Sequence, residues 1–459
     1  MRPDKRLETP AQRKSVLAFP DFARVDTLHA EKSLSGRDAP EILNFSVNRR
    51  ALSDGRALED FATLSGEMIA DLFVYRRYDQ TLGRRRDSLV ARCRSGKCYA
   101  RGLYDGGTFA EIPGLTIPDR PVAVNYRLNG EDVLVLCSPA AGMKVWDGSA
   151  VRSAENAPQI LSACVHYERL FVTVAGEKNA VWFSDDLDIT NWDVSLEGAG
   201  FIEMADDGGA ILKAVSFAGR VYLFRRYSVA RLTAFADQTE FELATLYASS
   251  GRILEDTVCV CGDRVMFAAQ NGLFVFDGVS TTRVLERLDG ILDYGNAAAR
   301  GCYWNGIYIL SAYRPDGRGV QVFYDVNTGE EFLFDCGEVA CLCPVNTEGE
   351  SSLFAVTALR SSTVCRVVGE DAAHPGPEKH YRSKTVSLGR RARIARARLD
   401  TARPVTFRVA TEEGEECFSL PAGNSEVKCA LKGREVRFEI EAQGAGHLVY
   451  PPEFDILTL

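Results

Sequence analysis

Cysteine is the residue type whose spacing comes nearest to a metal-site pattern in this sequence. Cys259 and Cys261, and again Cys341 and Cys343, form C-x-C pairs. In a strand, positions i and i+2 share one face, so each pair could present two thiolates to one metal ion. No C-x-x-C occurs and no histidine lies near either pair to complete the ligand set. We therefore predict buried structural thiols, with no metal and no other cofactor.

The five histidines and the common catalytic signatures give no candidate active site. The histidines are His29, His166, His374, His380 and His447. None forms the H-x-x-x-H or H-E-x-x-H spacing that directs two imidazoles to one zinc ion. The sequence also lacks G-x-S-x-G, P-loop and G-x-G-x-x-G signatures, so it offers no nucleophile elbow and no phosphate cradle. We predict no catalytic residue and expect the protein not to be an enzyme.

Two acidic segments leave a second class of function open. Asp206-Asp207-Gly208-Gly209 could bind a cation, but acids followed by glycines fit a turn between repeated units better. Ser184-Asp185-Asp186-Leu187-Asp188, ending at Trp192, is similar to the Asp-box of sialidase-type propellers, although Asp188 stands where that motif has glycine. A carbohydrate-binding or glycosidase-like propeller is therefore the alternative. It predicts acidic and aromatic residues converging at the axial mouth.

Two basic stretches are the candidate interface or DNA-facing residues. The first is Arg84, Arg85 and Arg86. The second comprises Arg390, Arg391, Arg393, Arg396 and Arg398, in a stretch with no acidic residue from 379 to 398. Such rows could line a DNA conduit or meet an acidic neighbouring subunit. The other interpretation is a solvated strand face with arginine at alternate positions.

Composition sets the limits within which these residues must be positioned. The chain has 459 residues, of which 46% are hydrophobic and 25% charged, with a net charge of -9. That balance argues against a generally basic nucleic-acid coat. No apolar run approaches the roughly 20 residues that span a bilayer. The first fourteen residues are charged and predict no signal peptide, and thirteen scattered cysteines indicate synthesis in a reducing cytoplasm.

A repeat of 40 to 45 residues predicts the elements that carry these side chains. Aromatic-Asp-Gly turns recur at Tyr104-Asp105-Gly106, Trp146-Asp147-Gly148 and Phe276-Asp277-Gly278. The apolar second strand of each unit is anchored at Val90, Leu134, Phe171, Leu223, Phe267, Ile309 and Phe354. Several short strands per period is the pattern of propeller blades, whose small sheets bury their faces by stacking around an axis. We predict an all-β fold, a β-propeller of about seven blades followed by a small C-terminal β-sandwich.

Changes in composition divide the chain into four segments. Residues 1–42 lack sustained apolar periodicity and predict an extended N-terminal arm. Residues 43–370 are assigned to the propeller. Residues 371–380 contain His374-Pro375-Gly376-Pro377 and predict a linker. Residues 381–459 offer about six further strands and are assigned to the C-terminal sandwich.

Several lines of the sequence resemble bacteriophage tail and packaged-DNA stabilisation proteins. These are Val181-Trp182-Phe183-Ser184-Asp185 continuing to Thr190-Asn191-Trp192, the segment from Phe217 to Ser228, Asn271 to Gly278, and Tyr381-Arg382-Ser383-Lys384. The resemblance covers residues 120–459. It implies a symmetric ring, often hexameric, beside the portal or along the tail.

The function expected from these observations is that of a structural component of a bacteriophage particle. Its partners would be copies of itself in a ring and other phage tail or portal-proximal proteins, with non-specific contact to packaged DNA. Its location would be the virion, assembled in the bacterial host cytoplasm. A third class, a cytoplasmic interaction scaffold of the WD or kelch kind, lacks the repeated G-H and W-D signatures.

Overall fold

The protein, described here from a computed structural model, is built from β-strands. The structure describes residues 14–104, 106–195, 198–206, 208–234, 241–347 and 350–458. The helical elements within these ranges are four single 3-10 turns, at Glu31–Ser33, Glu255–Thr257, Glu286–Leu288 and Ala358–Arg360. Among these residues, no helix combines the length and the apolar character needed to cross a membrane.

Seven four-stranded antiparallel sheets form the blades of a β-propeller, which confirms the predicted fold class. Blade 1 comprises Ile69–Tyr75, Ser88–Cys93, Lys97–Gly102 and Ala110–Thr116. Blade 2 comprises Val122–Leu128, Glu131–Ser138, Gly142–Trp146 and Val151–Ala154. Blade 3 comprises Ile160–His166, Arg169–Val174, Glu177–Phe183 and Gly200–Glu203. Blade 4 comprises Ile211–Phe217, Arg220–Arg225, Ser228–Thr233 and Glu242–Ala248.

The last three blades complete the ring. Blade 5 comprises Cys259–Cys261, Arg264–Ala269, Gly272–Phe276 and Thr281–Val284. Blade 6 comprises Arg300–Trp304, Ile307–Tyr313, Gly319–Asp325 and Glu331–Phe334. Blade 7 takes Val339–Thr347, Glu350–Thr357 and Thr363–Gly369 from the end of the repeat and Arg56–Thr63 from before blade 1. That last strand pairs antiparallel from Thr363↔Thr63 to Gly369↔Arg56, so the ring is closed by hydrogen bonds between its two ends.

The seven residues used as sequence anchors all lie in the second strand of their blades. Each is at most 1% exposed: Val90, Leu134, Phe171, Leu223, Phe267, Ile309 and Phe354. A second strand has neighbouring strands on both sides and a packed blade on each face, so its apolar residues run nearly continuously. The turn before it uses left-handed backbone, with φ of 51° and 83° at Asn129 and Gly130. Asparagine and glycine tolerate that conformation, which is why the pair recurs there.

The C-terminal sandwich has two layers, and both include strands from the N-terminal part of the chain. One layer contains Lys14–Ala18, Phe45–Asn48, Ala51–Asp54, Val386–Thr401, Gly423–Lys428, Leu448–Val449 and Glu453–Thr458. The other contains Glu41–Leu43, Lys379–Arg382, Val405–Thr411, Gly414–Leu420 and Lys432–Ala442. The start of Val386–Thr401 pairs with Lys432–Ala442 and joins the layers.

The observed division of the chain differs from the predicted one at its N-terminal end. Residues 1–13 of the predicted arm lie outside the described residues. From Lys14 onward the segment is not an extended arm, because Lys14–Ala18 pairs with Glu453–Thr458 and Glu41–Leu43 pairs with Lys379–Arg382. Residues 45–54, assigned by sequence to the propeller, also pair within the sandwich. The linker predicted for residues 371–380 extends two residues too far, because the strand Lys379–Arg382 begins at Lys379.

The sandwich packs against blades 5 and 6 through one continuous apolar core. Within the sandwich, Phe407 and Phe438 of one layer pack against Phe454 of the other, with ring centroids 6.3 and 6.0 Å apart. The same core includes Leu288 after blade 5 and Leu310 of blade 6. Blade 2 lies across the ring from this contact. The faces of blades 1 to 3 are therefore remote from the sandwich.

Candidate functional site

The first basic stretch lies on a hairpin inserted between the first and second strands of blade 1. Tyr78–Asp79 pairs with Arg84–Arg85 in this two-stranded element. Its base is fixed because the backbone N–H of Arg77 donates to the buried Asp87 carboxylate (2.8 Å) and that of Tyr78 donates to Asp132 of blade 2 (2.8 Å). Every residue from 80 to 84 is exposed. The insertion therefore presents a fixed base and a solvent-facing tip.

This element, residues 76–87, is hereafter the basic hairpin. It carries five arginines against two aspartates, a net charge of +3. Arg85 and Arg86 each lie 3.5 Å from an aspartate of the hairpin. Arg84 makes no ion pair with any residue that the structure describes. Tyr78 and Leu82 are 50% and 53% exposed, so apolar surface accompanies the charge.

A surface of opposite charge lies on blade 3 and is hereafter the acidic patch. It consists of Tyr167, Glu168, Asp186, Leu187 and Asp188, all exposed. The backbone N–H of Leu187 donates to the carbonyl of Glu168 (3.2 Å), which holds its two segments together. Tyr167 and Leu187 are 53% and 63% exposed. Like the basic hairpin, this patch therefore exposes one tyrosine and one leucine beside charges of a single sign.

The charge of the acidic patch is only partly compensated. Counting the adjacent Asp185 and Arg169, four acids oppose one arginine, a net charge of -3. The Arg169 guanidinium is directed to the carbonyls of Ser184 and Gly198. Asp188 accepts hydrogen bonds from the backbone and the hydroxyl of Thr190 (3.0 and 2.5 Å). Asp185, Asp186 and Asp188 belong to the segment that resembles the Asp-box, and the structure shows there a turn between the third and fourth strands of blade 3.

The basic hairpin and the acidic patch lie on one face of the propeller. In an antiparallel blade, the connection from first to second strand and that from third to fourth strand leave the sheet at the same end. The basic hairpin is the connection from the first to the second strand of blade 1. The acidic patch combines the first-to-second and the third-to-fourth connections of blade 3. Blade 2 lies between them and contacts both. Its Tyr126 hydroxyl donates to the carbonyl of Glu168 (2.9 Å), and its Asp132 carboxylate accepts a hydrogen bond from the backbone N–H of Tyr78.

The second basic stretch lies on the long sandwich strand Val386–Thr401, and neighbouring strands supply acids to most of it. Arg391 makes a bidentate pair with Glu413 (2.8 and 2.7 Å). Arg396 and Arg398 both reach Glu426, and Arg398 also reaches Asp455 (3.0 Å). The absence of acids in the local sequence was therefore not a measure of local charge. Within the described ranges, the exposed Arg390 and Arg393 are the two members of this stretch without an ion pair.

Charged residues on and next to the first strands, near the axis where the carbohydrate alternative predicts converging acidic residues, neutralise one another. Asp71 of blade 1 is 4% exposed and lies 2.6 Å from Arg92, 3.4 Å from Arg120 and 3.8 Å from Arg300. Arg120 also pairs with Asp256. Such a network joins blades 1, 5 and 6 across the axis. It fixes the position of the strands and leaves the Asp71 carboxylate surrounded by guanidinium groups.

The remaining acidic candidate, Asp206, forms an ion pair with a buried arginine. Arg225 is fully buried and directs its guanidinium to the Asp206 carboxylate and to the carbonyl of Gly209 (2.8 Å). This hydrogen bond, opposed by partial burial, holds the pKa of Asp206 below its ordinary value. Asp207 lies outside the described residues. Asp206 therefore anchors the turn before blade 4.

Among the residues that the structure describes, one group of histidine and carboxylate side chains has atoms close enough to hold a cation. His380, Glu439 and Glu441 each offer a ligand atom within 4.8 Å of the others. The imidazole already contacts Glu41, with Nδ1 3.5 Å from Oε2, and Glu439 lies 3.4 Å from Arg408. We interpret the group as an ion-pair network on the sandwich surface. The C-x-C cysteines are free thiols, and burial raises the pKa of Cys343 to about 12.

Comparisons with known proteins assign no family to the chain. No protein-family model matches it, and no curated protein matches it significantly in sequence. Similar solved structures include BBS1N in complex with ARL6DN, soaked with lead, at 12% identity and a TM-score of 0.44, covering 68% of this chain and 96% of that one. The mercury-soaked crystal gives 11% identity and a TM-score of 0.44, covering 70% and 99%.

Proposed function

We propose that this chain is a structural component of a bacteriophage particle, resident in the virion, that assembles with copies of itself into a symmetric ring in the tail or at the head-to-tail junction. The observation that carries the proposal is the exposed face of blades 1 to 3. On it, tyrosine, leucine and arginine side chains are displayed to solvent on a rigid scaffold, while the charged residues at the axis are compensated.

The composition of this face is that of a protein-protein interface. Tyrosine and arginine are enriched among the residues that dominate binding energy, and exposed apolar side chains on a soluble protein mark contact sites. Tyr78, Leu82 and Arg84 combine these types within one hairpin. Because the hairpin base is anchored to Asp87 and Asp132, little conformational freedom would be lost on binding.

The phage assignment is supported by the lines of sequence that resemble tail and packaged-DNA stabilisation proteins. Val181-Trp182-Phe183 lies in the third strand of blade 3, and Asn271–Gly278 spans the third strand of blade 5 with its turns. Tyr381 belongs to the strand by which the sandwich begins after the linker. These segments define blades and the sandwich entry, so a shared architecture is the reason to expect a shared role.

A non-enzymatic role agrees with the chemistry of the charged groups. Asp71 and Asp206 are both directed at arginines, so each carboxylate is engaged in an ion pair within the protein, and the hydrogen bond from Arg225 holds the pKa of Asp206 below its ordinary value. Arg390 and Arg393 would supply the non-specific contact with packaged DNA, because phosphate contacts require exposed cations and no base-reading element.

The proposal is tested by imaging the purified full-length chain. We expect closed rings of uniform subunit number in negative-stain electron micrographs and a matching mass by native mass spectrometry. A chain that remains monomeric at all concentrations, and that is absent from purified phage particles of its own host when these are probed with an antibody, would refute the proposal. Binding on a glycan array would favour the carbohydrate alternative instead.

A further inference from the structure

We propose that two copies of this chain pair face to face about a two-fold axis, with the basic hairpin of each copy seated on the acidic patch of the other. The inference rests on the proposed function in requiring self-association. It goes further in naming the surfaces and the symmetry, and it makes this contact distinct from the lateral contacts that close a ring.

The symmetry follows from the position of the two surfaces on one face. A hairpin that points along the face normal meets the acidic patch of a second copy only if that copy is turned over. The second copy then points its own hairpin back at the first copy, whose acidic patch lies two blades from its hairpin. The contact is therefore satisfied by two copies and is isologous. A ring closed by these surfaces would need them on opposite sides of the subunit.

The two surfaces match in charge and in apolar content. The basic hairpin carries +3 and the acidic patch with its neighbours carries -3. Arg84 on one surface, and Glu168 and Asp186 on the other, have side chains without an ion pair among the described residues. Each surface also exposes one tyrosine and one leucine, between 50% and 63% exposed. Opposite charges around apolar contacts fix register and accelerate association.

Backbone strain at the acidic patch is a third, independent observation. Leu187 has φ of 61° and Tyr167 has φ of 42°, in the left-handed region that disfavours residues with a Cβ. Strained residues in native proteins concentrate at binding and switch regions. The φ of Tyr167 is that of the recurring turn before a second strand, as at Asn129, whereas Leu187 combines strain with a large, exposed apolar side chain, which fits a residue presented to a partner.

The experiment is a charge swap between the two surfaces. Arg84→Glu places like charges opposite each other in both halves of a symmetric pair, and so does Glu168→Arg. We expect the dissociation constant of the pair, measured by sedimentation velocity, to be about tenfold higher for each variant alone than for the unmodified chain. Mixed in equal amounts, the two variants should recover the affinity of the unmodified chain, because each half of the mixed pair again joins opposite charges.

Matched controls separate this contact from general charge effects. Arg94→Glu, in the turn between the second and third strands of blade 1, and Glu155→Arg, between blades 2 and 3, change the same charges on the opposite face. We expect neither to alter pairing. Equal affinities for all four variants, or variants that fail to recover on mixing, would overturn the inference.

The outcome for pairing is distinguishable from the outcome for the ring. Pairs that respond to the charge swap without rings in micrographs would uphold the contact and refute the ring. Rings whose mass is unchanged by Arg84→Glu and Glu168→Arg would uphold the ring and refute the contact. Comparable thermal midpoints of the variants establish that loss of pairing is not loss of folding.

Discussion

Leu187 combines exposure with an unfavourable backbone conformation, and this sets an expectation for its replacement. At φ of 61° a leucine is disfavoured by about 1 kcal/mol or more, whereas asparagine enters this region readily. Leu187→Asn should therefore raise the thermal midpoint of the protein while weakening self-association. Differential scanning calorimetry measures the first effect, and sedimentation the second.

The control for this expectation is Leu359, which is 91% exposed and has ordinary backbone geometry. Leu359→Asn removes a similar exposed side chain but relieves no strain, so its midpoint should stay unchanged. A Leu187→Asn protein that melts at or below the midpoint of the unmodified chain would show that the left-handed leucine contributes packing instead.

Lys379 is fully buried and gives a second expectation at the residue scale. Its ammonium donates to the Glu370 carboxylate (2.5 Å) and to the carbonyl of Gly444 (2.6 Å). Lys379→Met leaves the buried carboxylate without its cation and should destabilise the protein by about 3–5 kcal/mol. Glu370→Gln added to that variant should restore part of the loss, as measured by denaturant midpoints. Lys97→Met, at the exposed pair with Glu111, should have no measurable effect.

The local sequence reveals the burial and the partners of some residues but not of others. Val90 and Phe354 were identified because a buried second strand carries apolar residues in an unbroken run. Lys379 falls within the predicted linker, since nothing adjacent to it signals burial. Its partners lie nine and 65 residues away. The acids that pair with Arg398, a candidate interface or DNA-facing residue, are equally invisible in its local sequence, because they come from strands 28 and 57 residues later.

At the scale of elements, a carboxylate-imidazole pair connects strand Glu41–Leu43 to strand Lys379–Arg382. Hydrogen bonding to His380 and to Arg314 lowers the pKa of Glu41 from 4.5 to about 2, and the same contact with Glu41 raises the pKa of His380 from 6.5. The groups facing the pair are Arg314, Arg382, Glu439 and Glu441.

These shifts have opposite signs and define a window of pH. The lowered pKa of Glu41 stabilises the fold above about 4.5 and this contribution is lost as pH falls towards 2. The raised pKa of His380 stabilises the fold below 6.5 and is lost as pH rises through its folded value. The drop in thermal midpoint caused by Glu41→Gln should therefore be largest between these limits.

Thermal scans across acidic and neutral pH test this window. Glu378→Gln is the control, because Glu378 borders the same groove without contacting the imidazole. A midpoint difference between Glu41→Gln and the unmodified chain that is constant with pH would contradict the assignment. The pair with Arg314 persists above neutrality, so the difference should shrink there without vanishing.

Blades could be predicted from sequence because their strands pair with neighbours a few residues away, so one period contains a whole sheet. Strands Lys14–Ala18 and Arg56–Thr63 pair with partners some 440 and 300 residues later. No local pattern encodes such partners. Likewise, the basic hairpin was visible as an arginine run, but its position two blades from an acidic patch on the same face required the order of the blades.

At the scale of the whole molecule, the propeller is an insertion in the sandwich. The chain leaves the sandwich at Gly55 and returns at Glu370, whose backbone N–H donates to the carbonyl of Gly55 (3.2 Å). Residues 14–54 and 379–458 thus build one domain, and residues 56–369 build the ring between them. This arrangement ties both ends of the propeller to one point beside blades 5 and 6 and leaves the face of blades 1 to 3 open.

A propeller inserted into the sandwich and a propeller that simply precedes it predict different behaviour for the isolated C-terminal segment. Residues 379–459 alone should fail to fold, because they lack the N-terminal segment whose Phe19 and Phe22 cover Phe438 and Tyr381. Residues 14–55 joined directly to 370–458 should fold, since Gly55 and Glu370 already adjoin. Dispersed amide resonances in the joined protein and collapsed resonances in the isolated segment are the expected spectra. A folded isolated segment would show that the N-terminal strands are accessory, because the two layers would then close without them.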